Sequence, residues 1–142
     1  MKYVIIIGTK EIKYEVIKKD NSDFLKKLFW NFQDTKGWTL NFGISVPIVV
    51  AYSGATKNPK FIGYIQYTTL SYQPEILKAK IDITSRIKNK LPILIKLISL
   101  FKSEVKKIKN LTTFRMENAT KEGERLGRLL SKKLGLKFEM KR

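Results

Sequence analysis

Residues 85–92, with the sequence SRIKNKLP, form a basic segment between an alternating strand pattern and a long apolar helix pattern. A short basic turn before a helix N-terminus is a common phosphate-binding arrangement, because free backbone amides and the helix dipole both favour an anion. Arg86, Lys88 and Lys90 supply positive charge, but the segment has no glycine and Pro92 has no amide donor. The residues therefore allow three interpretations: a phosphate site, a phosphate site with much of its chemistry removed, or an ordinary basic loop.

Several kinds of catalytic chemistry are excluded by composition. The 142 residues contain no cysteine and no histidine. Disulfides, zinc sites, cysteine or histidine nucleophiles and a Ser-His-Asp triad are therefore ruled out, and no carboxylate cluster suggests another metal site. The length is typical of one domain, so a single domain over residues 1–142 is expected.

The charge is strongly positive, with 29 lysines and arginines against 12 acidic residues and a net charge of +17. Residues 78–109 alone carry ten basic and two acidic side chains, a net charge of +8. This balance favours an anionic partner, either nucleic acid or an acidic protein, and predicts weak, salt-sensitive and sequence-independent binding to DNA or RNA. Lysine far outnumbers arginine, which is also typical of an AT-rich genome, so a compositional origin of the charge stays open.

The longest apolar run, LPILIKLISLF at residues 91–101, is interrupted by Lys96 and is too short to cross a bilayer. The first residues become charged too soon for a signal peptide. The sequence therefore predicts no membrane association and a cytoplasmic location, or a virion location if the chain is of phage or viral origin. An oligomer or larger assembly is compatible with these features.

Hydrophobic periodicity predicts a mixed α/β (α+β) chain in the order β(β)-α-β-β-β-α-β-α-β. The first two strands are joined by a predicted turn at Gly8-Thr9-Lys10-Glu11. The helix at 21–33 has Ser22 or Asp23 as its N-cap. The remaining expected elements are strands at 46–53, 61–69 and 78–84, a helix from residue 91, a strand at 111–117, a helix at about 120–134 ended by Gly135, and a strand at 136–140.

Each of the last two helices carries an apolar stripe that predicts which side faces the sheet. Leu94, Ile98 and Phe101 are expected to be almost fully buried. The full predicted stripe of the first helix is Leu91, Leu94, Ile98, Phe101, Val105 and Ile108, and that of the second is Leu126, Leu129, Leu130 and Leu134.

Three stretches in this order, FIGYI (61–65), IDITSRIKNKLPILIKLISLFKSEVKK (81–107) and FRMENATKEGERLGRLLSKKLGLKFE (114–139), resemble the GNAT superfamily of N-acetyltransferases. The resemblance covers roughly residues 46–142. It implies a mixed, mostly antiparallel sheet flanked by helices, with acetyl-CoA as the cofactor. It also implies that the strands near 78–84 and 111–117 are parallel neighbours that separate at the C-terminal end of the first.

The resemblance assigns the cofactor loop to residues 86–91, where the family has an R/Q-x-x-G-x-G/A pattern. Arg86 is kept, Asn89 stands at the first glycine position, and Leu91 stands where the family has glycine or alanine. Because Leu91 and Pro92 remove space and a donor, binding of CoA is expected to be weakened or lost. The implied cofactor-binding residues are Arg86, Lys88, Asn89, Lys90 and Asn118.

The resemblance also assigns catalytic positions. Many family members protonate the leaving thiolate with a tyrosine on the last helix, and Ser131 stands at that position, where its hydroxyl is too weak an acid. Asp82, with Glu75 as the alternative, is the candidate general base. Three tyrosines could line a substrate cleft or simply pack: Tyr64, Tyr67 and Tyr72.

Three functions follow from these residues. The first is a GNAT-like domain with impaired or lost acetyl transfer that acts as a basic binding or structural module, for example in a phage or viral virion. The second is an active acetyl-CoA-dependent N-acetyltransferase with a divergent loop. The third is a basic, non-specific nucleic-acid-binding protein. Whether the chain is an enzyme is left undecided by the sequence.

Overall fold

Seven strands and two helices make up the computed structural model, which describes residues 2–7, 10–18, 47–54, 60–83, 89–117 and 119–141. The predicted helix at 21–33 lies outside these residues. The strands and helices in chain order are β1 (Lys2–Ile7), β2 (Lys10–Ile17), β3 (Ile48–Ser53), β4 (Lys60–Thr69), β5 (Ile76–Ile83), α1 (Leu91–Val105), β6 (Thr113–Glu117), α2 (Lys121–Leu134) and β7 (Lys137–Lys141).

The strands form one mixed sheet in the order β1-β2-β3-β4-β5-β6-β7. Strands β1 to β5 pair antiparallel, and β5, β6 and β7 pair parallel. The two parallel connections are made by α1 and α2, as expected when a strand returns to pair with its neighbour in the same direction. The mixed α/β class, the mostly antiparallel pairing and the parallel β5–β6 pair are confirmed.

The first hairpin differs from the prediction in its turn. Ile7 pairs with Lys10, so Lys10 and Glu11 belong to β2 and not to the turn. Strand β2 therefore begins two residues before Ile12, its first apolar residue. Strand β3 lies between β2 and β4, and all of its residues except Ser53 are buried.

The sheet-facing side of α1 is Ile93, Leu97, Leu100, Phe101 and Val105, together with Glu104. The predicted stripe was one residue out of phase. Phe101 and Val105 are buried as expected, but Leu94 and Ile98 are only partly buried and Leu91 is 62% exposed. The first turns of this helix are apolar on almost every side, so two helical phases fit the pattern equally well.

Helix α2 packs close to the sheet at Gly127. A methyl group there would lie 2.6 Å from Cε1 of Phe138 and would also clash with Sδ of Met116, so any side chain at this position would force those two residues to move. The helix begins at Thr120, whose hydroxyl accepts a hydrogen bond from the Gly123 amide, and it ends at Gly135 with φ of 70° as predicted.

Leu130 faces the sheet as expected, while Leu126 and Leu134 are partly buried. The prediction that Leu129 points inward is wrong, because this residue is 50% exposed. Gly127 and Ser131 are buried instead, so the side of α2 that touches the sheet is made partly of small residues.

Candidate anion-binding site

The β5–β6 pairing is short and ends near the place where the resemblance puts its cofactor. Only three residue pairs join the strands, ending at Lys78 and Arg115, although β5 continues to Ile83 and β6 to Glu117. Within the described residues, the strands thus stop pairing toward the C-terminal end of β5, as predicted. Lys78 and Glu117 form an ion pair of 3.1 Å on the sheet face opposite the helices.

The start of α1 offers few groups to an anion. Asn89 and Lys90 are exposed, and Lys90 occupies the N-cap without a side-chain hydrogen bond to the helix. Pro92, the second residue of α1, supplies no amide, and the neighbouring Leu91 is largely exposed. Arg86, Lys88 and Asn118 lie outside the described residues, so their place beside Asn89 and Lys90 stays a prediction.

Ser131 is 2% exposed and donates a hydrogen bond of 2.7 Å to the carbonyl oxygen of Gly127. Its proton is therefore engaged inside α2. Asp82 lies on β5 opposite Tyr64 of β4, toward the end where the β5–β6 pairing has stopped. Glu75 precedes β5 at the other end, where its backbone oxygen accepts hydrogen bonds from the amides of Thr112 and Thr113. The two candidate bases thus lie at opposite ends of one strand.

The three tyrosines that were candidates for a cleft lie in different surroundings. Tyr64 is fully buried, and Tyr67 is buried against the ring of Phe101 at a centroid distance of 5.4 Å. Burial, helped by the charge of Glu104, raises the pKa of Tyr67 well above its usual value. Tyr72 is 76% exposed. These positions do not form a common cleft.

A groove of about 310 Å³ is lined by residues of both helices. Its walls carry three lysines, two serines and two isoleucines, which are Ile95, Ile98, Ser99, Lys102 and Ser103 of α1, its C-cap Lys106, and Lys133 of α2. Within the described ranges, Lys102, Lys106 and Lys133 make no ion pair. The groove therefore concentrates uncompensated positive charge beside apolar surface.

Several carboxylates of the described residues pair away from the groove. Arg115 pairs with Glu139 at 2.7 Å on the sheet face opposite the helices, and Arg128 pairs with Glu124 along α2 at 3.3 Å. Tyr52 donates to a carboxylate oxygen of Glu15 at 3.1 Å. None of these carboxylates forms an ion pair with a groove lysine.

Glu104 is the one acidic residue on the buried side of α1, with 7% exposure. Its two carboxylate oxygens accept from Lys18 at 2.9 Å and from Lys107 at 2.7 Å. Burial alone raises the pKa of this carboxyl, but the hydrogen bonds and charges of Lys107 and Lys18 outweigh burial and hold the pKa below its usual value. The arrangement ties α1 to the end of β2 and leaves Glu104 unable to neutralise the groove.

The sequence alone does not predict this groove. Lys102 and Lys106 fall in the basic stretch 78–109, and their spacing of four residues places them on one side of a helix. Lys133 lies 27 residues beyond Lys106 and joins them only because α2 returns beside α1. No local sequence pattern predicts that Lys133 lies close to Lys102 and Lys106.

No protein-family model matches this chain, and no curated protein matches its sequence. Within the described residues, no helix combines the length and the apolar character needed to cross a lipid bilayer. In the same part of the chain, no group of three or more potential ligand side chains is placed to hold a metal ion.

Proposed function

We propose that this chain is a GNAT-like domain in which acetyl transfer is impaired or lost, and that it acts as a basic binding or structural module for an anionic partner. The observation that carries the proposal is the groove in which Lys102, Lys106 and Lys133 meet without a carboxylate among the described residues. Like charges held together on a surface favour a ligand that brings the opposite charge. For a chain of phage or viral origin, this role would place it beside packaged nucleic acid in a virion.

Two features support the loss of acetyl transfer. Pro92 removes a donor from the first turn of α1, and Leu91 adds a side chain at the position where the resemblance expects close approach of a phosphate. The forfeited hydrogen bond would contribute about 1.5–3 kcal/mol if charge-assisted. In addition, the Ser131 hydroxyl is buried and already donates to the Gly127 carbonyl oxygen.

Two titrations test the proposal together. Isothermal titration with acetyl-CoA should show no binding up to millimolar concentration. Fluorescence anisotropy with a labelled single-stranded DNA 20-mer and with labelled poly-L-glutamate should show binding to at least one probe at 50 mM salt. Three lysine–phosphate contacts predict a loss of DNA affinity of about tenfold or more between 50 and 200 mM salt.

Matched variants locate the binding surface. The double variant Lys106→Glu/Lys133→Glu should weaken binding of the anionic probe, while Lys132→Glu, an exposed neighbour on α2 that does not line the groove, should leave it within twofold. Absence of binding to both probes at 50 mM salt would refute the basic-module proposal. Micromolar binding of acetyl-CoA would refute the loss of cofactor binding.

One observation favours the second candidate, an active N-acetyltransferase. The β5–β6 pairing ends after three residue pairs, as an acyl-CoA arm lying between two separating strands would require. Acetyl transfer to polyamine or peptide acceptors, measured as free CoA released, tests this alternative. We expect no turnover above the rate without protein, and we expect Asn89→Gly/Leu91→Gly to raise CoA affinity measurably.

A further inference from the structure

The two helices pack mainly over different strands of the sheet. Helix α1 contacts β3 and β4, and its Phe101 ring also meets Phe114 of β6, whereas α2 contacts β6 and β7. With strands about 4.8 Å apart, axes centred over β3–β4 and over β6–β7 would be about 14 Å apart, against about 8–10 Å for helices in direct contact. Both helices return from parallel strands of the same sheet, so they run in the same direction and form two parallel walls.

The groove has both apolar and basic lining residues, and more apolar surface is exposed on the same two helices. Ile95 and Ile98 line the groove. Leu91 and Ile95 of α1 are 62% and 58% exposed, and Leu129 of α2, one turn before Lys133, is 50% exposed. Toward the C-terminal ends of the helices, the walls carry Lys102, Lys106 and Lys133. Large apolar side chains exposed beside a patch of unpaired lysines indicate a partner that has both apolar and acidic groups.

We propose that this groove binds an amphipathic α-helix of a partner protein, with its apolar side chains on Ile95, Ile98 and Leu129 and its carboxylates on the groove lysines. The spacing of the walls suits this occupant. A partner helix whose axis lies about 10 Å from the axes of both α1 and α2 would lie about 7 Å above the plane of those two axes. In that position it contacts both helices at once. This inference rests on the proposed binding of an anionic partner and narrows that partner to an acidic helix.

Two other occupants fit less well. A nucleic-acid backbone would use the lysines but would leave Leu91, Ile95 and Leu129 exposed without a role. A second copy of this chain would bring another net charge of +17 to a surface that is already positive.

The probe for this inference is a synthetic 18-residue helical peptide with leucines at positions i, i+3, i+4 and i+7 and glutamates on the remaining faces. Binding is measured by anisotropy of the labelled peptide at 150 mM salt. Two control peptides, one with glutamine for glutamate and one with alanine for leucine, should each bind at least tenfold more weakly. On the protein, Ile95→Glu and the double variant Lys106→Glu/Lys133→Glu should each weaken binding tenfold or more, while Lys132→Glu should change it less than twofold.

Three results would overturn the inference. In the first, the peptide does not bind at millimolar concentration while the DNA 20-mer still binds in a salt-dependent manner, so that the basic-module proposal stands and the helix proposal fails. In the second, the groove variants weaken DNA binding and leave peptide binding unchanged. In the third, the leucine-free peptide binds as well as the original, so the apolar residues of the groove play no part. If neither the peptide, DNA nor poly-L-glutamate binds, the basic-module proposal fails as well.

Discussion

The two faces of α1 can be told apart by a matched pair of alanine substitutions. Leu97 is fully buried between the helix and the sheet, and Ile95, two residues earlier, is 58% exposed. Truncating a fully buried leucine costs about 2–5 kcal/mol, because apolar area is lost and a cavity remains. We expect about 3 kcal/mol for Leu97→Ala, since the sheet strands beneath α1 are paired on both sides and cannot collapse freely.

The expected cost of Ile95→Ala is much smaller. Less than half of this side chain is removed from water, so the transfer term is about 1 kcal/mol or less. Alanine has a better helix propensity than isoleucine by about 0.4 kcal/mol, which offsets part of that loss. The net change in the free energy of unfolding should therefore be about 0.5 kcal/mol.

Urea unfolding followed by circular dichroism measures both values directly. In a thermal scan, the Leu97→Ala variant should melt about 6–12 °C below the wild type, and the Ile95→Ala variant within about 2 °C of it. Equal losses for the two variants, or a larger loss for Ile95→Ala, would contradict the burial of Leu97 and the exposure of Ile95. Ile95 would then be part of the core, and the groove would lose its apolar wall.

Gly127→Ala should destabilise the protein by about 1–3 kcal/mol in urea unfolding, because the added methyl meets Phe138 and Met116. Gly123→Ala is its control in the same helix, where the added methyl would lie 3.2 Å from Cβ of Ala119; an equal loss there would contradict the closer contact at Gly127 as the cause. Glu104→Gln should remove the contribution that the ionised Glu104 carboxylate makes to the free energy of unfolding, which the wild type loses on acidification. Because the folded pKa is lowered, this contribution is full above the unfolded pKa and is lost as the pH falls through the folded pKa; an unchanged acid melting profile would contradict the buried pairing. Burial raises the pKa of Tyr14 to about 12, so its contribution is full below pH 10 and is lost as the pH rises from 10 to 12. Tyr14→Phe should therefore flatten the alkaline decline in thermal midpoint, and an identical decline in the variant would refute this assignment.

Strand positions and helix ends could be predicted because their signals are local. Gly135 ends α2 by adopting a left-handed conformation, and the alternating residues 78–83 make up most of β5. The parallel β5–β6 pair also follows from a rule with few exceptions, since one helix connects the two strands. These features need no knowledge of distant contacts.

The phase of α1 and the inward side of α2 could not be predicted in the same way. A helix that is apolar all round gives no unique stripe, and a buried Glu104 argues against the correct phase until its partner Lys18 is known to lie beside it. On α2, the sheet-facing position belongs to Gly127 because Met116 and Phe138 fill the space. A glycine gives no hydrophobic signal, so the apolar pattern favours Leu129 as the inward residue. Both errors come from tertiary contacts that the helix sequences do not contain.

The two candidate ligand positions are far enough apart to be tested independently. The expected cofactor position is at the N-terminal end of α1, next to Lys90, whereas Lys102 and Lys106 lie three to four turns further along the same helix. A rise of 1.5 Å per residue separates Lys90 from Lys102 by about 18 Å, which is more than two Debye lengths at physiological salt. A change at residues 89–91 should therefore alter CoA binding without altering the groove, and charge reversal at Lys106 should do the opposite. If each variant changes the affinity for one ligand only, the chain has two separate sites. Loss of acetyl transfer is then compatible with a binding role that the groove performs by itself.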